Sequence, residues 1–229
     1  MARVEKFKKD LLAHEAAKTF ARVVGEVLEK NDICRLAISG GSTPKEMFGI
    51  IANEHNIDFE RVKVFFVDDR TVPPTHNDSN YKMANETLFK ANIPRENIFR
   101  YETELAPEEA AAKYSETIEK EFNTKTPAFD IIFLGMGEDG HTASLFPETK
   151  GLDMGGIAIA NEVPALNTWR LTLTKETINR ANNIFFLIGG ASKADVLHEA
   201  LSGTKKYPIN LIDLEKSIFL IDEEAGAKI

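Results

Sequence analysis

A chain of 229 residues, 43% hydrophobic and 28% charged, can bury one sizeable core, so a single domain over 1–229 is expected. A formal charge of −8 with no long basic run excludes the footprint of a nucleic-acid binder. The lone cysteine, Cys34, excludes an intrachain disulfide or a cysteine-cluster metal site; with no signal-like apolar start and no run near the roughly 18 apolar residues of a membrane span, a cytoplasmic, non-membrane protein is expected.

Leu11, Leu12, Ala16, Phe20, Val23, Val24 and Leu28 recur at helical spacing and predict a helix over 7–30. Past Asn31-Asp32 the texture changes. Strands over 33–38, 62–67, 97–101 and 129–134 alternate with helices over 44–53, 79–90 and 107–122. Strands over 157–160, 170–174 and 184–188, a helix over 192–201 and a strand over 217–221 complete the series. Continuous apolar runs such as Val64-Phe-Phe-Val67 and Ile184-Phe-Phe-Leu-Ile188 suit strands covered on both faces. The fold class that follows is α/β: an open, mostly parallel, doubly wound (Rossmann-like) sheet with helices on both faces. Residues 147–169, rich in Gly and Pro, form a small excursion from it.

Ligands of such sheets gather at the carboxyl ends of the strands, where three loops stand out. In Ser39-Gly40-Gly41-Ser42-Thr43-Pro44, glycines let a ligand approach the backbone, and hydroxyls and free N–H groups supply donors for phosphate. Thr43 as N-cap, Pro44 behind it and Glu46 three after the cap predict a capping box. A weaker echo, Ile188-Gly-Gly-Ala-Ser-Lys193, has the same order of strand, glycine pair, hydroxyl and lysine. In Asp68-Asp69-Arg70, with Ser79-Asn80 beyond, the acids read as a solvated turn, while the planar fork of Arg70 suits phosphate or carboxylate.

The third loop, Gly135-x-Gly137-x-x-Gly140, has the spacing of a dinucleotide fingerprint. That fingerprint needs a long helix after its third glycine, and Pro147 and Gly151 leave room for scarcely two turns. The glycines instead present Asp139 and His141 ahead of a Thr142-Ala-Ser144 helix start. Imidazole exchanges protons near neutral pH, and a carboxylate two residues away can fix its tautomer. His55, His76 and His198 read as surface or helix residues, Cys34 as an inert core thiol, and Trp169 as core or as pocket wall.

Taken in order, Ser39-Gly-Gly-Ser-Thr-Pro44, Asp69-Arg70 with Val72-Pro73 and Ser79-Asn80, Gly135-x-Gly-x-Asp-Gly-His-Thr-Ala-Ser-Leu-Phe-Pro147, Arg170-Leu-Thr-Leu-Thr174 and Gly190-x-x-Lys193 resemble the 6-phosphogluconolactonase family over nearly the whole chain. Two departures stand out: Asp68-Asp69-Arg70 replaces the family's usual Asp-Glu-Arg, and Pro147-Glu148 replaces a frequent Pro-Gly. Glucosamine-6-phosphate deaminases share several of these elements but continue past Asp-Gly-His with Ile-Ala-Phe-Asn-Glu-Pro. Sugar-phosphate-sensing domains of transcription regulators normally carry a helix-turn-helix, which is missing here.

The resemblance implies hydrolysis of 6-phospho-D-glucono-1,5-lactone in the pentose phosphate pathway. His141 would serve as general base, Asp139 would orient it, and Arg70 or Arg170 would steady the oxyanion. Ser39, Gly40, Gly41, Ser42 and Thr43, with Asn80 and with Lys193 or the remaining arginine, would bind the phosphosugar. No cofactor or metal is called for, the partner is a small phosphorylated lactone, and monomer and homodimer stay open.

Overall fold

The computed structural model describes residues 2–229. Among them the chain runs β1 (Arg3–Phe7), α1 (Leu12–Leu28), β2 (Cys34–Ile38), α2 (Ser42–Glu54), β3 (Val62–Phe66), β4 (Asp68–Arg70), α3 (Asn80–Glu86), β5 (Ile98–Phe99), α4 (Pro107–Phe122) and β6 (Ile131–Leu134). It continues with β7 (Ala158–Val163), β8 (Thr168–Leu173), α5 (Lys175–Arg180), β9 (Asn183–Ile188), α6 (Ala194–Leu201) and β10 (Ser217–Asp222). Seven strands form one parallel sheet in the order β1-β10-β9-β6-β2-β3-β5.

Alternation along β3 shows how both faces are covered. Phe65 packs on Phe122 of α4 and on Phe129, while the next residue, Phe66, meets Tyr81 of α3 and Phe89 on the opposite face. On the α3 side, Phe20 of α1 reaches Phe133 of β6, so α1 also buries its apolar stripe against the sheet. Cys34 lies fully buried at the start of β2, and burial, with Asp130 nearby, pushes its thiol up to about 12, where it stays protonated. No helix among the described residues is long and apolar enough to cross a membrane.

The parallel α/β sheet follows the reading from apolar runs. Several local expectations need correction. The helix expected over 7–30 starts only at Leu12, and its first expected residue, Phe7, ends an edge strand, Arg3–Phe7, paired with β10. The capping box at Thr43 does not form, because α2 begins two residues earlier than expected, at Ser42, with Gly41 as N-cap at φ 122° and no side-chain cap. A glycine in that conformation swings the chain sharply from strand to helix and sets the helix start ahead of Thr43. The Asp68-Asp69-Arg70 turn is a strand, β4, and it joins β8 and β7 in a second, antiparallel sheet of three strands. The excursion contributes β7 and the start of β8 to this small sheet. No helix starts at Thr142: residues Thr142 and Leu145 form an isolated antiparallel bridge around Ala143, which has φ 50°.

Glu148 adopts φ 59°, where the side chain crowds its own backbone. It is exposed and makes no hydrogen bond among the described residues that would hold it there. Glu148→Gly is therefore expected to stabilise the fold by about 1 kcal/mol, or about 2–4 °C in Tm. Differential scanning calorimetry of the two proteins checks this.

Candidate active site

Strand order reverses direction between β2 and β6: from β2 the chain adds β3 and β5 on one side, then crosses to β6 and builds β9 and β10 on the other. The loops leaving β2 and β6 diverge there and open a crevice, as such sheets require. A cavity of about 310 Å³ occupies this place, lined by the Ser39–Pro44 loop, by Asp68, Arg70 and Asn80, by Gly135–Gly137, His141 and Ala143 after β6, and by Leu187–Gly189 and Lys193 after β9. Of the residues singled out from sequence, Ser39, Gly40, Gly41, Ser42, Thr43, Arg70, Asn80, His141 and Lys193 meet on this one cleft.

The loop after β6 is folded by its own backbone: Gly137 N–H donates to His141 O at 2.8 Å, and Gly140 N–H to Gly137 O at 3.1 Å. Asp139 Oδ1 accepts from the His141 backbone N–H at 3.1 Å and lies 2.5 Å from His141 Nδ1. In a neutral imidazole this contact favours the tautomer with its proton on Nδ1 and its acceptor nitrogen at Nε2. Phe146 stacks on the imidazole, ring centroids 4.1 Å apart. Gly137 owes its place to space: a Cβ there would stand 2.1 Å from His141 Nδ1 and 2.7 Å from Asp139 Oδ1. The fingerprint-like glycines make room for an acid–imidazole pair.

Around the start of α2 the cleft is rich in donors. The Ser39 hydroxyl is buried there without a hydrogen-bond partner among the described residues. That is a costly arrangement unless a ligand completes it. The two glycine turns that echo each other in sequence are also alike in conformation, with Gly41 at φ 122° and Gly190 at φ 98°, each at a strand-to-helix passage. They come close together, since a Cβ on Gly189 would be 3.5 Å from Thr43 Oγ1. Lys193 thus shares the end of the cleft with the α2 N-terminus; its ammonium has one acidic neighbour, Glu138, at 3.8 Å.

Asp68 and Asp69 are not solvated; they are 7% and 1% exposed. Asp68 lines the cleft, accepts from Ser144 Oγ at 2.7 Å and sits beside Asn80, whose Nδ2 donates to its carbonyl at 2.9 Å. Sequence reasoning passed over it because a charged pair reads as surface; its position right after a buried run was the available signal. Asp69 accepts backbone N–H bonds from Arg70 and Asn80 at 2.8 Å each and from Tyr81 at 3.2 Å, pinning the start of α3 to β4. The shorter acid of this chain thus fills the middle position of the motif as a loop clamp.

Burial pushes the Asp69 carboxyl up to about 6, against the lowering effect of those N–H bonds. Its folded value lies above the ordinary one of 3.8, so its contribution to stability is largest below about pH 4 and is lost as pH rises through about 6. Asp69→Asn is expected to lower Tm at every pH and to flatten the Tm profile between those values. Thermal melts across the range test it; an unchanged slope would reject Asp69 as its source.

Arg170 stands apart. It faces Arg70 across the β4–β8 pair, donates to Thr168 Oγ1 at 3.1 Å and to the Trp169 carbonyl at 3.3 Å, and is not among the residues lining the cleft. Burial, reinforced by the charge of Arg70, holds its guanidinium below the usual value. Trp169 borders a different, apolar cavity beside α4.

Comparison with known proteins identifies the family. The family model for glucosamine-6-phosphate isomerases/6-phosphogluconolactonase matches residues 8–220. A 6-phosphogluconolactonase of Treponema pallidum (strain Nichols) is 39% identical over 196 residues, covering 83% of this chain and 81% of that one. One from Synechocystis sp. is also 39% identical, over 202 residues, with coverage of 83% and 82%. The crystal structure of a 6-phosphogluconolactonase from Thermotoga maritima superposes with a TM-score of 0.88 at 28% identity, over 97% of this chain and 100% of that one. With the family model matching residues 8–220, relatives 39% identical over most of the chain and a superposable fold, the chain belongs to the glucosamine-6-phosphate isomerase/6-phosphogluconolactonase family.

Proposed function

We propose that this protein is a 6-phosphogluconolactonase, opening 6-phospho-D-glucono-1,5-lactone to 6-phospho-D-gluconate in the pentose phosphate pathway. The observation that carries the reading is the Asp139–His141 pair, 2.5 Å apart, in a cleft that also gathers a helix N-terminus and two cations. An activated ester needs only a base for water, donors for the developing oxyanion and an anchor that fixes the carbonyl.

Each part has a candidate. With Nδ1–H held by Asp139, His141 Nε2 accepts a proton from the water that attacks C1 of the lactone. The carbonyl oxygen becomes an oxyanion, and Arg70 stabilises it, an effect worth roughly 3 kcal/mol in comparable sites. Arg70 is preferred to Arg170 because it alone of the two lines the cleft. As the C1–O5 bond breaks, the imidazolium returns its proton to the ring oxygen, and the new carboxyl ionises to solvent. Asp139 stabilises the imidazolium between these steps. The 6-phosphate sits between Lys193 and the donors at the start of α2, including the unpaired Ser39 hydroxyl. Asn80 and the Asp68 carboxylate face the sugar hydroxyls. We read the enzyme as a cytoplasmic, single-domain protein over 1–229 acting on a small phosphorylated lactone.

The deciding test is the rate of lactone opening by the purified protein above the spontaneous background, with ammonia release from glucosamine 6-phosphate measured beside it. Accelerated opening without ammonia supports the assignment. No acceleration by folded protein overturns it.

A further inference from the structure

The proposed reaction leaves a second chamber unused. A cavity of about 310 Å³ shares Gly41, Ser42, Arg70 and Asn80 with the cleft and has Lys45 and Lys82 in its own wall. In a chain of net charge −8, this cavity has three cations, Lys45, Arg70 and Lys82, against two acids, Asp78 and Glu86, so its wall is net positive. Their partners are few. The Lys45 ammonium makes no hydrogen bond or ion pair among the described residues. Lys82 Nζ donates to Asn77 Oδ1 at 2.6 Å and lies 3.7 Å from Glu86. Arg70 donates from Nη1 to the backbone carbonyl of Asp78, itself a wall residue. Two ammonium groups and a guanidinium fork around a cavity of this size suit a tetrahedral dianion.

We propose that this chamber is a second anion site, for a phosphate monoester or an equivalent dianion, and that its occupant competes with the cleft for Arg70. The guanidinium already reaches to the Asp78 side of the boundary. An anion seated between Lys45 and Lys82 holds it there and withdraws it from the oxyanion. The bound anion then lowers turnover rather than only excluding substrate. The kinetic part rests on the lactonase reading; binding itself does not.

Inorganic phosphate is the probe, and Lys45→Gln/Lys82→Gln the variant, since neither lysine belongs to the reaction machinery. Calorimetric titration is expected to count two phosphate sites in the parent protein and one in the variant. In rate measurements, phosphate is expected to lower kcat of the parent by roughly fivefold or more at saturation and to act on the variant through KM alone. One site in both proteins, or two in both, overturns the proposal whatever the activity. Purely competitive inhibition of the parent overturns the coupling through Arg70. Unchanged far-ultraviolet circular dichroism and Tm of the variant show that the difference is not a folding defect.

Discussion

His141→Ala is expected to lower kcat for lactone opening by about 10³-fold, with KM within about twofold of the parent value. The imidazole lines the cleft and has its Nδ1 engaged by a carboxylate 2.5 Å away. Without it, water must attack unassisted. The cleft, the α2 N-terminus and the cations remain, so substrate still binds and the residual rate stays above background. Proton release at constant pH, corrected for spontaneous opening, reads the effect directly. A variant with parental kcat would remove His141 from the mechanism.

Gly137→Ala is expected to come close to that loss, about 10²-fold or more in kcat, without touching any reacting group chemically. The added methyl would lie 2.1 Å from His141 Nδ1, 2.2 Å from Cε1 and 2.7 Å from Asp139 Oδ1. None of these contacts is tolerable, so the pair must move by more than an ångström. The loop backbone, tied through Gly137 N–H to His141 O, gives little room to absorb the shift. Phosphate affinity is expected to be preserved because the α2 end of the cleft is separate. A crystal structure of the variant, alongside kcat, would distinguish a displaced imidazole from a general loss of fold; full activity would show that the loop relaxes freely.

What the sequence disclosed and what it hid divide along physical lines. Strands covered on both faces announce themselves as apolar runs, and β3, β6, β9 and β10 were legible for that reason. β1 was not, since Arg3-Val-Glu-Lys-Phe7 is an edge strand whose charges face solvent, and Phe7 could equally open a helical pattern. β4 has three charged residues and pairs with β8, a hundred residues on; no local pattern marks such a partnership. The six-residue helix α5 is too short to show a period. At the site, loops that follow strands could be ranked by position alone, which gathered Ser39, Arg70, Asn80, His141 and Lys193. Side-chain direction could not. Arg170 begins a strong motif, yet strand pairing sets it opposite Arg70 and off the lining. Asp69 looked solvated because its backbone partners lie eleven and twelve positions away, and Asp68 because the hydroxyl that reaches it, that of Ser144, lies 76 positions away.

The edge formed by β1 and β10 carries a consequence for the order of events during synthesis. Residues 3–7 find their sheet partner only in residues 218–222, and Lys6 Nζ donates to Gly226 O at 2.6 Å. Of the described strands, the first to be made, β1, therefore waits for β10. Until β10 emerges, an unpaired strand with its amphipathic helix α1 is held in place by packing alone, a contact of high sequence separation that folds late. The central strands β2, β3, β5 and β6, and with them the crevice between β2 and β6, can assemble before the edge closes.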